Sequence, residues 1–375
     1  MRSAERKTGL SDWGTESQDF RPGLNALMES LEHDAELNTL GRVMMRSYVQ
    51  RLLENRLKIA RDLREHAEIH KVEIRRPLFI VGFPRTGSTL LQRLLARDPG
   101  VRSLQTWEMM LPSPPPETAS YASDPRIKIS DRRVKALNWM APEFAIAHEL
   151  VAGEPEECVS LLQTSLVNSS FELMARIPGY RRWLLEQDQH APYRYYRQQL
   201  QLLQWKHPKD HWVLKSPFHL LGIEALMDVF PDAVIVQTHR DPARVMPSLC
   251  SLFNVMHQLT SDQADPKQLG PSMLELLGWA DDRAIDLRER IGDERFFDVS
   301  YRDLVSDPFE TVRSIYTRFG YSLSAEAVTA MQAWHRENQQ HKHGVHRYSL
   351  EMFGLSTEMV ERRFARYNAR FKDYL

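Results

Sequence analysis

Between residues 23 and 68, apolar side chains return every three or four positions, with Met45, Val49, Leu52, Leu53, Leu57, Ala60 and Leu63 set among Arg, Glu and Lys. That period predicts helix with one buried face. At Pro77 the pattern changes. LFIVG, residues 78–82, is a short apolar run, and STLLQRLLARD after it places Leu90, Leu91, Leu94 and Leu95 on one helical face. WVLK (212–215) and AVIVQTH (233–239) are continuous apolar runs, each followed by proline and helical material, as buried parallel strands are. FFDVS (296–300) reads as a fourth strand. A Pro-rich loop, LPSPPPETASYASDP, and a helical insertion at about 129–206 separate the first of these strands from the second, and the last forty residues hold a His-rich loop and a terminal helix. The expected organisation is a helical N-terminal extension over residues 1–74 and an α/β domain over 75–375 that carries the insertion.

Composition narrows the function classes. The 375 residues are 42% hydrophobic and 26% charged, the profile of an ordinary globular protein. With 49 Lys and Arg against 50 Asp and Glu, no global positive field recruits nucleic acid or an anionic membrane, although a basic pocket is allowed. Cys158 and Cys250 are the only cysteines, too few for a disulfide framework and without zinc-ligand spacing. A charged, polar N-terminal stretch without a signal-peptide core, and no apolar run near the roughly 20 residues that span a bilayer, lead to the expectation of a cytoplasmic protein.

The candidate chemistry begins in GFPRTGSTLL, residues 82–91. Two glycines five positions apart, between a strand and a helix, frame a phosphate-binding loop. The lysine of that loop is missing. Ser88 takes its place, Thr89 follows, and Arg85 lies inside. Backbone N–H groups, two hydroxyls and a guanidinium suit phosphate or sulfate oxygens, whereas phosphoryl transfer from a nucleoside triphosphate is disfavoured without the lysine. A second constellation follows in QTHRDPARVMPSLCSL, where Arg240 stands at a strand end and Ser248 eight residues later on the next helix. It can grip one further phosphate, or it is an Arg240–Asp241 ion pair beside a helix start. Taken together, the two sites describe a nucleotide with a polyanion on its 5′ side and a phosphate on its 3′ side.

In their order and spacing, PLFIVGFPRTGSTLLQRLL, WVLKSPFHL and FPDAVIVQTHRDPARVMPSL resemble the sulfotransferases that use 3′-phosphoadenosine 5′-phosphosulfate (PAPS). The bacterial-type branch, related in its motifs to tyrosylprotein sulfotransferases, is the nearest look-alike. The likeness runs from about residue 77 to 308, and VSYRDLVSDP and HRYSLEMFGL extend it. It implies a P-loop-type parallel sheet flanked by helices. It also implies that Arg85, Thr86, Gly87, Ser88 and Thr89 bind the 5′-phosphosulfate, that Arg240 and Ser248 bind the 3′-phosphate, and that Tyr301 lies against adenine. Transfer of a sulfonate in this family needs no metal.

Lys215 closes the WVLK run, so it projects from the C-terminal edge of the sheet, where ligands bind in open α/β folds. There it is a candidate to steady the leaving oxygen, with Arg85 assisting. The base for the acceptor's proton has two candidates. Cytosolic sulfotransferases place a histidine two residues after the lysine, but Pro217 stands there. By analogy with the tyrosylprotein branch, Glu108 in QTWEMM is the nearest match, about two positions off that spacing, either in a pocket loop after Trp107 or as a surface Glu at a helix start. His219, four residues after Lys215, shares its face if SPFHLL is helical. The stretch HELVAGEPEE, residues 148–157, either lines the acceptor pocket or starts a helix. Trp139, Phe144, Phe171 and Trp183 suit a lipophilic or aromatic alcohol and equally a helical core. The acceptor is expected to be a small-molecule or lipid alcohol. Two other classes compete, namely a magnesium-dependent P-loop kinase or phosphotransferase and a non-catalytic nucleotide-binding module.

Overall fold

LFIVG forms the central strand of a five-stranded sheet and is buried at every position. In chain order the strands are β1 (Leu78–Gly82), β2 (Val101–Ser103), β3 (His211–Lys215), β4 (Val234–His239) and β5 (Phe296–Ser300). The computed structural model describes residues 1–14, 19–338 and 348–375, so the His-rich loop around His341, His343 and His346 lies outside the described residues. The order across the sheet is β2-β3-β1-β4-β5, with every pairing parallel. From β1 the chain runs out to the edge at β2, returns to β3, and then crosses β1 to reach β4. That reversal opens a crevice at the carboxyl end of β1, the place where such sheets bind ligands.

The sequence reading has four strands and misses β2. Only three residues long, β2 is interrupted by Arg102, whose guanidinium lies 4.6 Å from the centre of the Trp212 ring. An apolar-run search cannot see such a strand, because its arginine is buried by stacking on an aromatic face.

Two compact units make up the chain. One comprises residues 75–103, 209–254 and 265–375 and contains the sheet. Its core joins Leu78, Ile80, Val213, Val234 and Val236 to Leu91, Leu94 and Leu95 of the helix Ser88–Leu95 and to Val312, Ile315 and Phe319 of Pro308–Phe319. Burying each such side chain stabilises the fold by roughly 1.5–3 kcal/mol relative to exposure. Leu90, expected on the same face, is only partly buried.

The other unit comprises residues 1–74, 104–208 and 255–264, so the N-terminal helices and most of the insertion share it. The early periodicity resolves into two helices, Arg21–His33 and Thr39–Glu65. All seven residues that carried the pattern are buried in the second. Phe171, Tyr180 and Leu184 close the same core. Phe144 is buried as well, whereas Trp139 is 83% exposed and belongs to no core. No helix among the described residues is long and apolar enough to cross a membrane.

Candidate active site

Gly82 ends β1 with φ 126°, and a Cβ there would meet the Thr238 carbonyl oxygen at 2.3 Å. Only glycine lets the loop leave the strand so close to β4. Thr86 fixes the other side. Fully buried, its hydroxyl donates to the Phe83 carbonyl at 2.7 Å and lies 2.5 Å from the Thr238 hydroxyl. Its side chain therefore holds the loop to β4, leaving the backbone N–H as its means of meeting an anion. Gly87, at φ 85°, precedes the helix that Ser88 and Thr89 begin. A Cβ on Gly87 would stand 2.9 Å from Leu304 and 3.2 Å from the Tyr301 ring. The N–H groups of that helix start, with its dipole, offer an anion site.

Arg85 is an exposed non-glycine residue at φ 70°, a backbone state costing roughly 1–2 kcal/mol. Its Nε donates to Ser248 Oγ at 3.2 Å, and its carbonyl accepts from Arg240 Nη1 at 2.9 Å. The Arg240 guanidinium in turn lies 4.1 Å from the centre of the Tyr301 ring. The loop pair predicted for one end of a nucleotide and the Arg–Ser pair predicted for the other are thus in direct contact. Partial desolvation first, and the Arg240 cation second, lower the Arg85 pKa from its ordinary value. Tyr301 and Tyr348 act the other way. Two guanidinium groups brought this close favour a bound polyanion. Asp241 has a separate task. Its carboxylate accepts from the Ala243 N–H at 2.8 Å at the start of the helix Pro242–Thr260, as a helix-starting residue does.

The sequence reading does not anticipate a buried relay behind Arg240. Tyr367 OH lies 2.9 Å from His239 Nδ1, and His239 Nε2 lies 2.8 Å from Asp298 Oδ1. Arg288 grips both Asp298 oxygens at 2.7 Å. Asp298, held as a carboxylate, can only accept, so the imidazole donates to it through Nε2 and Nδ1 accepts the Tyr367 proton. Burial lowers the His239 pKa, in keeping with this neutral tautomer. Burial works to raise that of Asp298, but hydrogen bonds from Arg288 and His239 outweigh it and hold the carboxyl below the usual range. Tyr367 packs on Phe83 of the loop too, with ring centres 5.0 Å apart. Its ring thus packs on the loop, and its hydroxyl bonds His239, the residue before Arg240. Tyr367→Phe keeps the ring and removes the hydrogen bond to His239. Calorimetry should show affinity for adenosine 3′,5′-bisphosphate falling by about five- to tenfold, the loss expected of a net hydrogen bond, and adenosine 5′-phosphate affinity nearly unchanged. A lower melting temperature with both affinities intact would make the relay a matter of stability alone.

Lys215 ends β3, opposite Ile80 of β1, and is 2% exposed. The condition placing His219 on its face does not hold. Lys215 is in a strand, and Pro217–Gly222 is a 3-10 helix with three residues per turn. His219 is fully buried, edge-on to Phe79 at 5.2 Å between ring centres, and burial lowers its pKa to about 3.

Glu108 belongs to the other unit. It is buried in the first turn of the short helix Thr106–Met110, so of the two readings the helix start holds and the surface position does not. Its Oε2 accepts from the Gln105 backbone N–H and from Tyr121 OH, each at 3.0 Å. With Gln105 it makes a reciprocal capping box. Residues 148–157 start no helix. They run alongside this one, with Thr106 N–H donating to the Glu154 carbonyl and Trp107 N–H to that of Ala152. Within the stretch, His148, Glu156 and Glu157 offer three ligand atoms within 4.8 Å of one another. The 3.1 Å contact between His148 Nε2 and Glu156 accounts for part of that closeness.

A parallel sheet, a glycine loop at its carboxyl edge and two converging arginines make this the candidate anion site. The chain belongs to the sulfotransferase family, whose model matches residues 77–325. It is similar to the solved sulfotransferase STF1 from Mycobacterium tuberculosis, with 35% identity, a TM-score of 0.88, and coverage of 97% of each chain. Sulfotransferase STF9 from Mycobacterium avium is 30% identical with a TM-score of 0.88, covering 99% of this chain and 95% of that one. Omega-hydroxy-beta-dihydromenaquinone-9 sulfotransferase Stf3, from Mycobacterium bovis and from Mycobacterium tuberculosis, is 28% identical over 267 residues. That stretch is 65% of this chain and 62% of the length of these curated relatives.

Proposed function

We propose that this chain transfers the sulfonate group of PAPS to the hydroxyl of a small-molecule or lipid alcohol. The observation that carries the reading is the contact of Arg85 with both Ser248 and Arg240, which makes one continuous cationic site for the two anionic ends of the nucleotide. In this reading the loop from Arg85 to Thr89 holds the 5′-phosphosulfate, and Arg240 with Ser248 holds the 3′-phosphate. Tyr301, already stacked under Arg240, offers its ring to adenine.

The acceptor oxygen attacks sulfur, the bond from sulfur to the bridging phosphate oxygen breaks, and adenosine 3′,5′-bisphosphate leaves. Lys215 and Arg85 supply positive charge to that leaving oxygen. By analogy with the tyrosylprotein branch Glu108 takes the acceptor's proton, since the rival His219, with a pKa of about 3, is a weak base. No metal is needed, because lysine and arginine do the neutralising. The Stf3 relatives, named for a hydroxylated menaquinone, support a lipid alcohol as acceptor. Two buried free thiols, Cys158 and Cys250, accord with the reducing cytoplasm as the place of action.

Thermal denaturation with added ligand separates the competing classes. Adenosine 3′,5′-bisphosphate at saturating concentration should raise the melting temperature by several degrees without magnesium, and more than ATP does. Stabilisation by magnesium-ATP alone would point to a phosphotransferase.

A further inference from the structure

In the unit that holds the N-terminal helices, one helix turns to solvent a face, part apolar and part cationic, that the reaction outlined above does not use. It is Pro125–Met140, with the sequence PRIKISDRRVKALNWM. Ser130 and Val134, one turn apart, are buried and define its inward side. Trp139 comes nine residues after Ser130, about two and a half turns, and so stands on the opposite side, 83% exposed. Ile129 is exposed too, and Ile146 and Val151 follow within twelve residues of the tryptophan. Of the ten large apolar side chains exposed among the described residues, these are four. Such a concentration signals an interaction surface.

Charge says what the surface meets. The helix carries five cations, Arg126, Lys128, Arg132, Arg133 and Lys135, against one acid, Asp131. Arg126 is buried and paired with Asp124, and Lys135 pairs with Asp131 at 2.7 Å. Lys128, Arg132 and Arg133 are exposed and form no ion pair among the described residues. Lys128 and Arg132 stand eleven and seven residues before Trp139, about three turns and two, and so line the same side, while Arg133 is one turn beyond Ile129. We infer that this face docks the protein on an anionic lipid surface, with the Trp139 ring in the interface and Lys128, Arg132 and Arg133 on the headgroups. Tryptophan favours the boundary between headgroups and hydrocarbon, and unpaired Lys and Arg meet the anionic groups above it. Nucleic acid would satisfy the cations and could stack on the indole, but it leaves Ile129 with nothing to bury against. The contact is peripheral, by one face of a helix that packs on the fold through the other. It goes beyond the sulfotransfer reading and does not depend on it.

Sedimentation with sucrose-loaded vesicles tests this without any substrate. The protein should bind vesicles of phosphatidylcholine mixed with phosphatidylglycerol, stay in solution with phosphatidylcholine alone, and be released as salt is raised. Trp139→Ser should weaken binding about tenfold, the effect of one aromatic side chain no longer buried. Lys128→Gln and Arg132→Gln together should weaken it about 25-fold, roughly fivefold for each cation. Both variants change exposed side chains, so their melting temperatures should match the wild type. A second readout locates the contact. Anionic vesicles with brominated acyl chains should quench tryptophan fluorescence in the wild type. Trp139→Phe, which keeps an aromatic ring at the interface, should still sediment but lose the quenching. No sedimentation with anionic vesicles, or binding that survives in both the serine and the glutamine variants, would overturn the inference and leave the sulfotransfer reading untouched. Tighter binding to a single-stranded RNA than to the vesicles would overturn it in favour of nucleic acid.

Discussion

Lys215→Ala should lower turnover by about 10²- to 10³-fold, the usual effect of removing one group that stabilises charge in a transition state. The lysine closes β3 beside the central strand and is almost completely buried, so its charge acts in a low dielectric and is poorly replaced by water. In the proposed site the same cation contacts the cofactor before reaction, so PAPS affinity should fall as well. Lys215→Met keeps most of the volume and separates lost charge from lost packing. It should be as slow as the alanine variant. Glu108→Gln should differ in kind, with turnover about 10²-fold lower and cofactor affinity intact, because in the proposed reaction it removes the base and no cofactor contact. Near-normal turnover in either lysine variant would show that Lys215 has no part in the chemistry. A normal Glu108→Gln beside an inactive His219→Ala would move the base to the histidine.

Arg240→Ala should weaken adenosine 3′,5′-bisphosphate by about 10²-fold or more, since hydrogen bonds between charged groups contribute roughly 1.5–3 kcal/mol each. Adenosine 5′-phosphate should bind almost as before. The structure adds a reason to measure both ligands. Arg240 also donates to the Arg85 carbonyl and stacks on Tyr301, so its loss removes support from the loop. If that bracing were its only task, both ligands would weaken equally. Arg240→Lys keeps a charge but loses the planar stack and the fork of donors, so its affinity for the bisphosphate should fall between the two.

The parts of this site that the sequence discloses are those built from neighbours in the chain. LFIVG, the glycines and the leucines behind them lie within one stretch, and their spacing announces strand, loop and helix. Arg240 and Ser248 are eight residues apart on one strand-to-helix turn. The relay behind them is not of that kind. Tyr367 meets His239 across 128 residues, and no local pattern distinguishes it from any other tyrosine on a terminal helix. Thr86 reads as a phosphate ligand, yet its hydroxyl is spent on Phe83 and Thr238, the second of them 152 residues away. Glu108 shows a subtler limit. A helix start is one of its two readings, but the Q-x-x-E capping box begins with glutamine, a residue outside the usual helix-starting set of Ser, Thr, Asp and Asn, so nothing local announces a buried, capped carboxylate there. His219 misleads for a geometric reason, since a four-residue spacing aligns side chains only along an α-helix, and the segment is part strand and part 3-10 helix.

Transfer of labelled sulfonate tests the central claim most directly. The wild-type protein, treated with a chelator, is mixed with PAPS labelled in the sulfonate group and a panel of aliphatic alcohols, phenols, sterols and sugars. Label should pass to an alcohol in amounts equal to the adenosine 3′,5′-bisphosphate released, and it should do so with no added metal. Label that stays on PAPS across the whole panel, while magnesium-ATP yields a phosphorylated product, would contradict the account.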